Sequence, residues 1–218
     1  MKQRWFSTFR VTVLLIFMLI IPTLACNGNY RLADPTRLAP NDLSGQDFSS
    51  KKIAGRDLSG KHMPHINFSG SEILNSNFSR ADLQNANLTD TLIQRTNFSN
   101  ADMRGVKLDR ACMDEHNIWT DARLDDKWAK FIGLLERGIA PGQDLRGYDL
   151  SNVCIWGNRL DNVNLAEVNL MGAKIFGSMV SANLANSDLR QANLSGVDLR
   201  GANLTGADLT GAKLRTKT

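Results

Sequence analysis

Histidine and cysteine are scarce, with three of each in 218 residues. His62 and His65 stand three apart and His116 lies far along the chain, whereas a zinc site needs three or four convergent ligands. No metal and no other cofactor is expected. No Ser/His/Asp or Cys/His constellation can be placed, so catalysis is not expected either. Excess charge is also missing. The formal charge is +4, but Lys2, Arg4 and Arg10 fall within the first 25 residues, which hold no acid; the remainder carries 23 basic against 22 acidic residues. That balance points to neither a nucleic-acid-binding surface nor an acidic mimic. A long apolar run is lacking too: residues 11–21 form a run short of the roughly 20 apolar residues that a spanning helix needs.

That short run reads as the core of an export signal over residues 1–25. Three positive charges precede it, and Pro22 then leads to the small Ala25. The ending "TLAC" resembles the bacterial lipoprotein signal, although Thr23 stands where that signal usually has Leu. In such signals the cysteine becomes lipid-modified and forms the new N-terminus, which makes Cys26 the expected lipid attachment. Residues 26–40, with Gly28, Pro35 and Pro40 and no apolar period, read as a tether. The expected location is the bacterial cell envelope, on the periplasmic or extracytoplasmic face of a membrane that holds the acyl chains.

One five-residue phrase is abundant. In "ANLSGVDLRGANLTGADLTGAKL" (residues 192–214) a Leu recurs at every fifth position, a period that fits neither a helix nor an alternating strand. Such centres begin at Leu43 and run through Met113 and Ile118, resume at Leu145, continue through Ile155 and Ile175 to Val180, and shift by one residue to end at Leu214, 31 units in all. A second period lies inside the first. Ile holds the centre at 53, 73, 93, 155 and 175, every fourth unit, and there the preceding residue departs from the usual Asp or Asn: Lys52, Glu72, Leu92, Cys112, Cys154, Lys174. Lys107 and Asn193 break that second pattern. Four short sides per coil explain both periods. Each side turns its centre and the residue two before it inward. The residue two after the centre, often Gly, forms a corner, and Asp or Asn before the centre bonds nearby backbone.

"ANLSG", "VDLRG", "ANLTG" and "ADLTG" resemble the pentapeptide-repeat family, whose pattern is A(D/N)LXX. The resemblance covers residues 41–120 and 143–216 and implies an all-β fold, a right-handed quadrilateral β-helix. Residues 41–120 and 143–218 are then its first and second parts, interrupted by one amphipathic helix in residues 121–142. Leu124, Trp128, Phe131, Ile132 and Leu135 fall there at helical spacing, with Gly138 as a terminator and Pro141 beyond. This helix either docks on the tube through Trp128, Phe131 and Ile132, covering the outward Trp119, Trp156 and Phe176, or binds a partner.

The twenty-residue phase puts Cys112 and Cys154 directly over one another on the isoleucine side, within disulfide reach. Lipid on Cys26 leaves them as one pair, and an exported compartment permits the bond. "GRDLSGKH" (residues 55–62) nearly matches a phosphate-binding loop, but His62 replaces the metal-holding Ser or Thr and both glycines fall on corners. The expected function is a non-enzymatic, membrane-tethered scaffold or protein-interaction module with an unknown protein partner and no nucleic acid. Within the family, some members resemble DNA in shape and charge and bind DNA gyrase. Here the export signal and the near-neutral charge oppose that alternative, and an enzyme with an unrecognised site is the remaining class.

Overall fold

The computed structural model describes residues 41–156 and 160–214. The signal, the tether and Cys26 lie outside them. The chain coils with twenty residues per turn and four sides. One side pairs Asp42 with His62, Asp82 and Asp102; the next pairs Asp47 with Asn67, Asn87 and Lys107; another pairs Asp57 with Asn77 and Asn97, all in parallel. The remaining side carries the strands: β1 (Lys52–Ala54), β2 (Glu72–Leu74), β3 (Leu92–Gln94) and β4 (Cys112–Met113) form one parallel sheet, and β5 (Cys154–Ile155) and β6 (Lys174–Ile175) another. One helix, α1 (Asp126–Arg137), stands between β4 and β5. Among the described residues no helix is long and apolar enough to cross a membrane.

The centres fill the tube. Met63, Phe68, Ile73, Phe78, Leu83, Leu88, Ile93 and Phe98 are fully buried, with Ala81, Ala86 and Ala101 beside them at the small inward positions. Aromatic centres stack along the coil: Phe78 on Phe98 at 5.4 Å and Phe98 on Trp119 at 4.6 Å between ring centroids. The residue before each centre does two jobs. Oδ1 of Asp47, Asn67 and Asn87 accepts the backbone N–H of Ser49, Ser69 and Thr89, which turns the chain. The amide nitrogen of Asn67 donates to Asp47, and that of Asn87 to Asn67, one coil back. A carboxylate only accepts, whereas an amide also donates. In such ladders Asp opens and Asn continues, as again in Asp144, Asn164, Asn183 and Asn203; the side of Asp42, His62, Asp82 and Asp102 has no amide and forms no such ladder.

Corners two residues after each centre take left-handed φ, at Ser50, Asn85 and Asn186 as well as at glycines. Gly206 carries a second constraint, because a Cβ there would run into Oδ1 of Asn186 one coil below. The isoleucine side is distinguished from within. Ser76 Oγ bonds the carbonyl of Leu74, Thr96 Oγ1 that of Gln94, and Asn117 Nδ2 that of Ile93. These buried groups satisfy carbonyls in the strands of this side, which stay extended one residue longer than the other sides. Where Val197 follows at the equivalent inward position, Asn193 restores the tighter turn, with its Oδ1 accepting from Ser195 N–H.

Three features of the register differ from the sequence reading. Asn97 pairs with Ile118, so Trp119 and not Ile118 is the centre; an extra residue lies between Met113 and Trp119. The expectation of an outward Trp119 is thereby overturned: it is 7% exposed and Ile118 is 49% exposed, because the indole stacks on Phe98 inside. Likewise Ser178 pairs with Asp198, so Met179, fully buried, is the centre in place of Val180. The missing residue falls beside Gly177, where Asp161 accepts both Ser178 Oγ and Val180 N–H. Finally, Arg123 pairs with Asp102. Leu124 therefore still belongs to the coil, and the helix occupies only part of residues 121–142.

Phe98 touches aromatic neighbours on both coils, so Phe98→Ala is expected to destabilise the fold by about 3–5 kcal/mol. Equilibrium urea unfolding reads this directly; a loss below about 1 kcal/mol would show that the stack does not carry the first coils.

Candidate functional site: the seam at the inserted helix

Leu124 ends the regular coil over Met103, whose N–H donates to Arg123 O at 2.8 Å. The next residue, Asp125, precedes α1 in an extended conformation, and its carboxylate accepts Gly105 N–H at 3.0 Å rather than capping the helix. Asp126 in the first turn and Arg137 in the last suit the helix dipole, and Gly138 closes the helix with φ 73° and its N–H on Leu135 O. Trp128, Phe131, Ile132, Leu134 and Leu135 are buried and belong to the same apolar core as Leu145 and Leu150. Docking of the helix is therefore what is found. Lys127 fixes it further: Nζ donates to Ser151 Oγ at 2.9 Å, approaches Asp149 at 3.6 Å and lies 4.9 Å from the centre of the Trp128 ring. An open cleft of about 440 Å³ remains beside Lys127, Lys130, Phe131, Arg146, Tyr148 and Asp149.

The helix does not cover Trp156 and Phe176. These lie on the isoleucine side just after the strand centres Ile155 and Ile175, 43% and 42% exposed, with ring centroids 5.7 Å apart. The expectation that α1 shields them is overturned, because α1 lies instead beside Tyr148, Asp149 and Ser151, through Lys127 and Phe131.

The coil does not pass through the insertion without a break. Cys154 lies over Cys112, and counting back two sides from Ile155 puts Leu145 on the face Leu124 already occupies. One face is entered twice, so the ladder cannot run on. Among the described residues β4 and β5 belong to separate sheets. Among the described residues the apolar core is continuous across this seam, and three covalent or polar links also cross it. Cys112 and Cys154 are joined by a disulfide, with Cα atoms 4.9 Å apart. Arg110 N–H donates to Asn152 O at 2.5 Å. Asp90 takes Arg110 Nη2 at 2.8 Å on one oxygen and Lys174 Nζ at 2.6 Å on the other. Hydrogen bonding from Arg110, joined by Lys174, holds the Asp90 carboxyl below the ordinary carboxylate range despite its partial burial. The disulfide closes a loop of 42 residues containing all of α1, a closure that stabilises by about 4 kcal/mol in the chain-entropy account. The Asp90 cluster joins residues 84 apart, and no sequence signal marks it.

Many other polar side chains are engaged within the coil, whereas the buried Ser71 Oγ has no hydrogen-bond partner among the described residues. Asp102, Asp144, Asp188 and Asp198 each hold the Arg two residues on through paired hydrogen bonds, and these hydrogen bonds keep the carboxyls below the ordinary range. His62 Nδ1 lies 2.9 Å from Asp82, His65 sits at a corner, and His116 lies 3.6 Å from Asp114. Among the described residues no three His, Cys, Asp or Glu side chains converge as metal ligands would. Gly55 and Gly60 of "GRDLSGKH" are corners with left-handed φ, and no helix follows them.

The family model described as pentapeptide repeats matches in eight copies, over residues 54–90, 81–115 and 178–215. Over those residues the chain matches pentapeptide repeats. No curated protein matches it by sequence. Among solved structures it is similar to HetL, a pentapeptide repeat protein involved in heterocyst differentiation regulation in the cyanobacterium Nostoc sp., at 22% identity over 79% of this chain and 90% of that one, with a TM-score of 0.32. QnrB1, a plasmid-mediated fluoroquinolone resistance protein, is 17% identical over 79% of this chain and 91% of its own, with a TM-score of 0.29. A pentapeptide repeat protein of the Arabidopsis thaliana thylakoid lumen is 22% identical over 80% and 68%, with a TM-score of 0.23. The pentapeptide pattern accounts for the faces of this chain; the seam, the helix and the aromatic pair are departures from it.

Truncating a buried aromatic removes about 3–5 kcal/mol, so Trp128→Ala is expected to loosen α1. Limited proteolysis should cut within residues 125–142 much faster than in the wild type. An unchanged cleavage rate would mean that the helix is held by other contacts.

Proposed function

We propose that this pentapeptide-repeat chain is a non-enzymatic scaffold or protein-interaction module of the bacterial cell envelope, tethered to a membrane through lipid on Cys26. The observation that carries the interaction reading is the exposed Trp156–Phe176 pair. Two large apolar side chains in mutual contact on a flat face are surface that a protein partner would bury, and stacked repeats offer extended contact surfaces. Many carboxylates before the centres among the described residues are engaged by Arg, by Asn ladders or by the next hydroxyl residue, as at Asp198, Asp144 and Asp208, which leaves less unpaired acid than a DNA-like surface would need. The envelope reading rests on the sequence: three cations, residues 11–21, Ala25-Cys26 and a Pro-containing tether. The Cys112–Cys154 bond suits an oxidising compartment, and a tether raises the effective concentration of the rod near membrane partners.

Metabolic labelling with a palmitate analogue is expected to mark the wild type and not Cys26→Ala; equal labelling of both would refute the anchor. A photo-crosslinking amino acid at position 156 is expected to give a discrete adduct with an envelope protein, while the same group at position 54, in the equivalent place on the same side, gives none. Identical patterns from the two positions would refute the aromatic pair as the contact.

A further inference from the structure

We propose that the Cys112–Cys154 disulfide is a thiol-operated coupling between the coils before α1 and those after it. In a stacked-repeat protein, cooperativity passes through contacts between neighbouring coils. On the isoleucine side those contacts are backbone ladders from β1 to β4 and from β5 to β6, and among the described residues no ladder joins β4 to β5. The disulfide stands in that gap. Among the described residues the other polar links on this side are the Arg110–Asn152 backbone bond and the partly exposed Asp90 cluster; partly exposed ion pairs contribute little, and the apolar core that runs across the seam is not directional. Breaking the S–S bond therefore weakens the coupling at this seam more than breaking any single ladder bond elsewhere.

The two sulfurs are not equivalent. Cys112 is partly exposed and Cys154 is buried, so an incoming thiolate reaches Cys112 Sγ. Trp156 Nε1 donates to Cys154 Sγ at 3.1 Å and thereby favours Cys154 as the leaving thiolate. The reductant is a dithiol. Its thiolate forms a bond to Cys112 Sγ while the Cys112–Cys154 bond breaks, and the electron pair leaves on Cys154, which takes a proton. The second thiol of the reductant, as thiolate, then attacks its own sulfur in the mixed disulfide and releases Cys112, which is protonated in turn. Two electrons and two protons pass to the protein, and the dithiol becomes a disulfide. The loop of 42 residues that carries α1 is then no longer closed by a covalent bond.

The experiment uses the full-length chain with dithiothreitol as the probe. The oxidised protein is expected to unfold in one transition. After reduction, two transitions are expected, together with amide exchange over residues 126–137 faster by about tenfold or more; re-oxidation should restore both. Cys112→Ser/Cys154→Ser should behave like the reduced protein without reductant. If that variant does not fold, reduction of the folded wild type remains the deciding measurement. In Cys154→Ser, glutathione disulfide should trap a mixed disulfide on Cys112 faster than it traps Cys154 in Cys112→Ser. Three results would overturn the proposal: two free thiols in the purified oxidised protein, a single transition with unchanged α1 exchange after reduction, or faster trapping at Cys154.

Discussion

Every level of this structure depends on the parallel backbone hydrogen bonding between one coil and the next. Each centre donates its N–H to a carbonyl in the coil above, as Leu43 does to His62 and Phe48 to Asn67, and the twenty-residue offset puts like residues on top of one another. Stacked in this way, an inward Phe meets Phe, an Asn side chain meets the Asp or Asn below, and a corner meets a corner. The polar faces and the apolar core are thus aligned by one set of bonds. Where Asn follows Asp in such a stack, the order is a chemical consequence, since an amide can both turn its own chain and donate to the coil below, whereas a carboxylate only accepts.

The seam is where that rule fails and other forces take over. The chain enters the Leu124 face again at Leu145, so the ladder cannot continue, and α1 fills the space with Trp128, Phe131, Ile132, Leu134 and Leu135. A covalent bond and a carboxylate shared by two cations replace the lost backbone bonds. The same region carries the exposed aromatic pair, in contact with the buried sulfur of Cys154 through the Trp156 indole. The departures from the repeat therefore gather within one or two coils. Elsewhere many outer positions hold Asp paired with Arg or bonded Asn ladders, whose side chains are engaged in the coil itself.

Much was legible in the sequence because the five-residue unit performs one job many times. The four-sided coil, the glycine corners and the stacking of Cys112 with Cys154 all follow from counting, since a fixed number of residues per side fixes what lies above what. The amphipathic spacing of Trp128, Phe131 and Ile132 likewise marked a helix, but left open whether it docks or binds a partner; the burial of that stripe decides for docking. Counting fails where the period slips. Ile118 and Trp119 are adjacent apolar residues, as are Met179 and Val180, and spacing alone admits either member of each pair as a centre.

The sequence by itself determined the period, the fold class and the pairing of the cysteines, because these depend on local turn chemistry repeated at constant spacing. Only the tertiary structure decided which of two neighbouring apolar residues turns inward: the Trp119 indole gains a stacked partner in Phe98, and Ile118 is left in solvent. Tertiary structure also decided that α1 lies beside Tyr148, Asp149 and Ser151 and leaves Trp156 and Phe176 exposed. It decided as well that Asp90 is shared by Arg110 and Lys174. Such contacts join residues far apart in the chain across a break in the repeat, where the regular offset no longer specifies which residues meet.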